Sequence, residues 1–395
     1  MSSAKTPCLS DFCTTGTGGT PSRSKLERYY EGGTIPWIKS GELRESVINR
    51  AEECVTDAAL KESSIKLVPA GAILLAMYGA TVGRLGILGI EATTNQAVCH
   101  IIPDPKIAVT RYVYHALSSQ VPNLISMGVG GAQPNINQGI IKSLPIPLPP
   151  LPEQRRIAAI LDQADALRAK RREALAQLDR LTQSIFIEMF GDPVSNPKKW
   201  GVKPLSECAE RIQIGPFGTQ LHEEDYIDGG IPLINPTHLR GGLISPDSSL
   251  TVSPEKYTEL SNYYLFSGDL IMGRRGEMGR CAVITQREQG WLCGTGSLFV
   301  RPKTDVIHPI YLGLVISFPS MRRFLENVAQ GVTMANLNKT IVGALPIAVP
   351  PMAKQLAFLS QLNATQAIKR HSLDSLAELD TLFASLQHRA FQGEL

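Results

Sequence analysis

A chain of 395 residues, 43% hydrophobic and 19% charged, has the apolar material for two or three folded domains and lies outside the disordered class. Its net charge of +3 tolerates nucleic acid without demanding it; a protein gripping DNA unaided through many phosphates would be more basic. No run of about 18 apolar residues occurs and Met1-Ser2-Ser3-Ala4-Lys5 lacks an apolar signal core, so no membrane partner is expected and the expected compartment is the cytoplasm.

In chain order, residues 1–150 form a first globular domain of mixed α/β (α+β) character. Residues 72–77 are an apolar run that predicts a buried strand, with 84–90 as its partner across a Gly-rich turn, 98–102 as a further strand and 111–118 as a helix. A Gly-rich loop follows at 128–138. Residues 151–191 predict one long helix. Pro152 suits its first turn and Glu153 the positive end of its dipole, while Gly191 and Pro193 stop it. Its apolar residues Ile157, Leu161, Ala164, Leu167, Leu175, Leu178, Leu181, Ile185 and Met189 recur at threes and fours, the seam of a coiled coil.

Residues 192–351 then repeat the first domain. Ile35-Pro36-Trp37-Ile38 returns as Ile231-Pro232-Leu233-Ile234, Asn135-Ile136-Asn137 as Asn336-Leu337-Asn338, and Leu144-Pro145-Ile146-Pro147 as Leu345-Pro346-Ile347-Ala348. The register is 196 at first and 201 later, which places a five-residue insertion in the second copy before residue 295. Residues 269–272, 280–285 and 298–301 predict strands, 310–327 a helix and 331–339 the second Gly-rich loop. Residues 352–395 predict the second long helix, with a stripe at Leu359, Leu362, Leu373, Leu376, Leu379, Phe383, Leu386 and Ala390 that weakens between 366 and 371. A repeat that pairs with itself does so about a pseudo-two-fold axis, so the expected architecture is two similar globular domains joined by two long antiparallel helices.

Catalytic chemistry is not legible. There is no G-x-x-x-x-G-K-[ST], no [ND]-P-P-Y, no G-x-S-x-G and no H-E-x-x-H; Gly16-Thr17-Gly18-Gly19 reads as a loop. Seven cysteines without C-x-x-C spacing read as buried or incidental thiols, and seven scattered histidines give no metal site.

What remains is chemistry for recognition. The turn from Gly273 to Arg280 carries Arg274, Arg275 and Arg280, forks that suit guanine edges or phosphate, or simply a solvated hairpin; its first-domain counterpart keeps the glycines but only Arg84. That difference predicts two heads that read different bases. Asn95, Gln96, Gln133, Asn135 and Asn336 can bind adenine edges or phosphates. For the Asn-x-Asn loops a shared structural role, capping or turn closure, is favoured, because they recur in both halves.

Gly-x-x-x-x-Asn-x-Asn, then Leu-Pro-Ile-Pro-Leu-Pro-Pro-Leu-Pro-Glu-Gln-Arg-Arg-Ile-Ala at 144–158, then the long helix and the closing Phe391-Gln392-Gly393-Glu394-Leu395 resemble the specificity subunits of type I restriction-modification enzymes over essentially the whole chain. The second half departs at Ala353-Lys354-Gln355, where the first has Pro152-Glu153-Gln154. The resemblance implies two target recognition domains, each reading one half of a split, asymmetric site in double-stranded DNA. It implies helices that dock two copies of an adenine methyltransferase subunit and a motor-nuclease restriction subunit. S-adenosylmethionine, ATP and Mg then belong to those partners, and this chain is non-catalytic, with no cofactor of its own. The docking and spacer candidates are Glu153, Gln154, Ile157, Leu161, Leu167, Leu178, Gln355, Leu359 and Leu376. Two readings from other classes remain: a self-contained DNA-modifying enzyme, and a helical scaffold that binds only proteins.

Overall fold

The computed structural model describes residues 6–45, 47–128, 135–218, 220–329 and 336–395. The chain divides into two compact units, Met1–Glu173 with Leu373–Leu395, and Ala174–Ser372. The expected segments are consecutive; these units are not, because the division falls inside both long helices, Leu151–Phe190 and Met352–Gln392.

The first unit is built on a five-stranded sheet in the order Cys13–Thr17, Val98–Pro103, Ile73–Ala76, Leu85–Leu88, Val47–Ile48, antiparallel except for the last pair. Side chains along a strand point alternately to opposite faces. Ile73 and Leu75 therefore enter one core with Tyr112, Leu117 and Ile157, while Leu74 and Ala76 enter another with Ile38, Leu88 and Val98. Burial on both faces is why the sequence here is apolar without alternation. A smaller sheet, Glu53–Val55, Ile35–Ile38, Thr93–Thr94, carries Trp37, whose indole donates to the Gly19 carbonyl at 3.1 Å. The helix expected at 111–118 runs from Thr110 to Ser126.

The second unit repeats this plan with a four-stranded sheet, Ala209–Ile214, Ser297–Pro302, Leu270–Gly273, Cys281–Val283. Leu243–Ile244, the counterpart of Val47–Ile48, folds onto Leu239–Arg240 as a hairpin. The single helix expected at 310–327 is two, Pro309–Ser317 and Pro319–Ala329. Pro319 drives Phe318 out of the helical region, to φ −65° and ψ 142°. The register drift is also more gradual than one insertion before residue 295. Equivalent strands end at Pro103 and Pro302, whereas the equivalent helix-start glutamines are Gln154 and Gln355.

Those glutamines explain how each long helix begins. Gln154 is fully buried; its Oε1 accepts from the Val109 amide at 2.8 Å and its Nε2 donates to Ile107 O at 3.0 Å and Pro149 O at 2.8 Å. Gln355 makes the same three bonds to His308 N, Val306 O and Pro350 O, at 2.8, 3.3 and 2.8 Å. The second helix start thus matches the first despite Ala353-Lys354. Both amides are consumed inside their own unit, which removes Gln154 and Gln355 from the docking candidates. Ile157, Leu161 and Leu359 are likewise buried in core, while Glu153 pairs with Arg156 at 2.7 Å.

Within each unit the two helices run antiparallel. In the first, Arg168 bonds Asp380 at 2.6 Å and Arg156 reaches the Leu395 carbonyl at 2.5 Å; in the second, Lys369 bonds Asp179 at 2.5 Å and Phe186 meets Phe358 edge-on. The seam keeps its 3.5-residue period but differs from the apolar stripe. Leu167, Leu181 and Leu373 are 52%, 46% and 49% exposed, while Arg168, Thr365 and Ser372 turn inward. Arg168 serves there because its stem can pack while its head pairs with Asp165 and Asp380 and lies 4.3 Å from the Phe383 ring. Leu178 and Leu376 are half-buried seam positions.

Candidate nucleic-acid interface

One end of each main sheet gathers the loops that the sequence marked. In the first unit the strand Ile73–Ala76 leads into Met77, and Met77 ties the rim together. Its amide donates to Ala97 O at 2.8 Å, and its carbonyl accepts from the Ile136 amide at 2.8 Å. The turn 78–84, the loop 94–97 and the Asn-x-Asn segment therefore meet at one residue. In the second unit Arg274 holds the same place: its amide donates to Gly296 O at 3.0 Å and its carbonyl accepts from Leu337 N at 3.0 Å. Ile136 and Leu337 are fully buried beneath the rim.

The turns need their glycines. Gly279 has φ +74°, and a Cβ there would lie 2.6 Å from Arg322 Cγ and 2.8 Å from Ile316 O. Gly16 and Thr17, expected in a loop, end the edge strand Cys13–Thr17; Gly18 comes after it, where a Cβ would lie 2.1 Å from Thr94 O.

The candidate side chains divide by what they already touch. Arg84, Gln96 and Asn135 are exposed in the first unit, Gln96 accepting a hydrogen bond from the Thr20 hydroxyl. Asn95 is half-buried, and its Oδ1 has no partner among the described residues. Gln133 lies outside the described residues. In the second unit the three arginines are not equivalent. Arg275 is exposed. Arg280 is held by Glu277 at 2.6 Å and by Pro236 O at 3.1 Å, and Glu277 also pairs with Arg322 at 2.9 Å. Arg274 is buried, with Nε donating to Leu337 O at 3.0 Å; burial, then the charge of Arg275, pulls its pKa below the usual arginine value.

The Asn-x-Asn loops do cap. The second asparagine of each, Asn137 and Asn338, accepts from the amide three residues on, at 2.9 and 2.8 Å, and starts the helices Gln138–Lys142 and Lys339–Gly343. The first asparagine is left for other work: Asn135 is exposed, and Asn336 keeps a buried Oδ1 without a partner among the described residues.

Sequence reasoning missed Phe217, 58% exposed beside this rim, and the triad Arg111–Asp162–His115, in which only His115 is buried. Burial lowers the His115 pKa against the pull of Asp162; burial would raise Asp162, but Arg111 and His115 hold it below the usual carboxylate range. No periodic signal marks either. The recurrence of a Pro-Pro-x-x-x-Gln spacing in both halves would have flagged the two clamp glutamines. Five of the cysteines are buried, and burial raises Cys13, Cys99 and Cys281 to about 12, as expected of inert core thiols. Among the described residues no group of His, Cys, Asp or Glu could hold a metal, and no helix is long and apolar enough to cross a membrane.

A sheet-end rim laced twice by the same backbone bonds, with two sets of side chains and a turn one residue shorter in the second copy, on units threaded by two long helices, defines a double recognition module. The chain belongs to the family described as the type I restriction modification DNA specificity domain, which matches residues 1–178 and again 197–378. It is 32% identical over 171 residues to the specificity subunit of the type I restriction enzyme EcoR124I/EcoR124II from Escherichia coli, covering 42% of each chain. It is 29% identical over 256 residues to the MjaIX specificity subunit from Methanocaldococcus jannaschii, covering 60% of this chain and 58% of that one. Both alignments span less than two thirds of those relatives. The fold is shared with the crystal structure of a type I restriction-modification S subunit from M. genitalium, at TM-score 0.57 and 15% identity over 98% of this chain and 95% of that one. It is shared too with a structure titled for complex assembly and conformational transition of the type I R-M system, at TM-score 0.62 and 20% identity over 98% of this chain and 97% of the other.

Proposed function

We propose that this chain supplies the sequence address of a type I restriction-modification complex and none of its chemistry. Each unit reads one half of a split site in double-stranded DNA, through the turn, loop and Asn-x-Asn rim at its sheet end. The observation that carries this reading is the rim itself: one lacing of backbone bonds, with Met77, Tyr78 and Arg84 in one copy and Arg274, Arg275 and Arg280 in the other. The same lacing bonds hold both rims in place; a different turn length and unequal side chains read unequal bases, so the site is asymmetric. Arg275 and Arg84 are the foremost base or phosphate contacts, with Gln96 and Asn135 beside them.

The two long helices dock two copies of an adenine methyltransferase subunit that carries S-adenosylmethionine, and a motor-nuclease subunit that uses ATP and Mg. Half-site centres lie about one helical turn apart, roughly 10 bp. The test is selection from a random duplex library by the chain co-expressed with the methyltransferase subunit of its own system. A split, asymmetric motif with a fixed gap is expected. No enrichment from an intact complex at low salt would sink the DNA reading and favour a protein scaffold.

A further inference from the structure

Arg274 is the one arginine among the described residues that is buried, at 5% exposure. The other buried charged groups are compensated: Asp269 takes two 2.8 Å bonds from Arg301, and Glu288 one of 2.5 Å from Arg287. Arg274 faces no carboxylate among the described residues, and none of the undescribed positions is acidic. Its guanidinium donates one bond to Leu337 O and lies 5.8 Å from the centre of the exposed Phe217 ring, while the adjacent charge, Arg275, has the same sign. Asn336, which precedes Leu337, has a buried Oδ1 with no partner among the described residues.

A buried cation without a counter-charge is costly, and a fold keeps one only where something else gains from it. The guanidinium adds one bond to the rim, to Leu337 O, but the two backbone bonds do not need the charge, since Met77 makes the same two in the first unit with a neutral side chain. The geometry points to Arg274 as the seat of a DNA phosphate, a backbone clamp built into the second unit and absent from the first. The guanidinium supplies the fork, with Nε tied to Leu337 O and the Phe217 ring beside it. A phosphate contact fixes register and carries no base preference, so this residue sets how the neighbouring Arg275 is presented to the bases. The inference rests on the DNA-reading function proposed above.

The test is Arg274→Met, the substitution that the first unit already contains, made in the intact chain–methyltransferase complex. Affinity for the selected duplex is expected to fall roughly tenfold and about equally for all sequences. The slope of log affinity against log salt should become shallower by about one, with the melting temperature of the free chain unchanged or raised. Arg274→Lys should keep the salt slope and lose only part of the affinity, because it retains charge without the fork. Unchanged affinity and slope in Arg274→Met, beside a wild-type complex that binds, overturn the phosphate seat alone. A changed base preference with an unchanged slope makes Arg274 a base reader and also overturns it. A chain that no longer folds makes the residue structural, with the same consequence. A wild-type complex without sequence-dependent binding overturns the DNA reading itself.

Discussion

Gln154 satisfies three backbone groups that have no other outlet, and Gln355 does the same in the second copy. Only an amide can do this, since it offers an acceptor to one amide N–H and two donors to two carbonyls. A glutamate cannot donate to the carbonyls, and an apolar residue offers nothing. Gln154→Leu should therefore strand one donor and two acceptors in the core, at about 1–3 kcal/mol for each unpaired group, partly offset by the apolar side chain. A net loss of about 3 kcal/mol corresponds to a melting temperature lower by about 10 °C for a unit of this size. Gln355→Leu should cost a similar amount. Scanning calorimetry decides, and an unmoved transition in both variants would show that the clamp carries no stability. The same residue marks a limit of reading sequence. Within its motif Gln154 reads as a partner-surface residue, because a chain of letters does not show that a polar side chain is spent indoors.

The long helices were legible as elements because a 3.5-residue period survives any detail of packing; their inner face was only half legible. Leucine is a good guide to a seam where the seam is apolar, and it fails where the inward positions are Arg168, Thr365 and Ser372. Leucines one residue off the register then pass for seam residues. Four exposed apolar residues precede inward positions: Leu167 and Leu382 in the first unit, Leu181 and Ile368 in the second, all 46–57% exposed; of these, Leu167 and Leu181 belong to the expected stripe. In an antiparallel pair, residues that precede seam positions on both helices lie along one side. The register of Gln154 and Gln355 also maps Leu167 onto Ile368 and Leu181 onto Leu382, so the repeat presents the same apolar pair twice. The opposite side carries Asp165, Arg172, Asp179 and Asp380, tied into ion pairs. On the docking proposed above, each unit would offer one such apolar pair to a partner copy. Leu178→Asp, at a half-buried seam position, should destabilise the chain by about 1–3 kcal/mol. Leu167→Asp and Ile368→Asp should leave stability within about 0.5 kcal/mol and each release one methyltransferase subunit. Thermal melts and the mass of the purified complex separate the cases, and full retention of both subunits would place the dock elsewhere.

At the scale of the molecule, the repeat reveals two heads, yet the compact units are not the repeats. The first unit closes with the far end of the chain: Phe383 and Ala390 lie in its core, Phe391 sits 5.5 Å from Tyr112, and Gln387 donates to the His115 carbonyl at 3.1 Å. Nothing local in residues 373–395 announces this, because the contacts join positions some 270 residues apart. It changes what a domain exchange should do. Replacing residues 1–150 with the same region of a relative should change one half-site and leave the other, since the reading rim of the second unit lies wholly within Ala174–Ser372. The same exchange should also lower the melting temperature, because a foreign head meets the resident Phe383, Gln387, Ala390 and Phe391. Carrying residues 373–395 of the same relative along should restore stability without altering the new motif. Motif sequencing of methylated DNA and thermal melts of the two chimaeras read the two effects apart. A change in both half-sites would end the modular reading. Restored stability without the matching C-terminal segment would show that these contacts do not hold the first unit together.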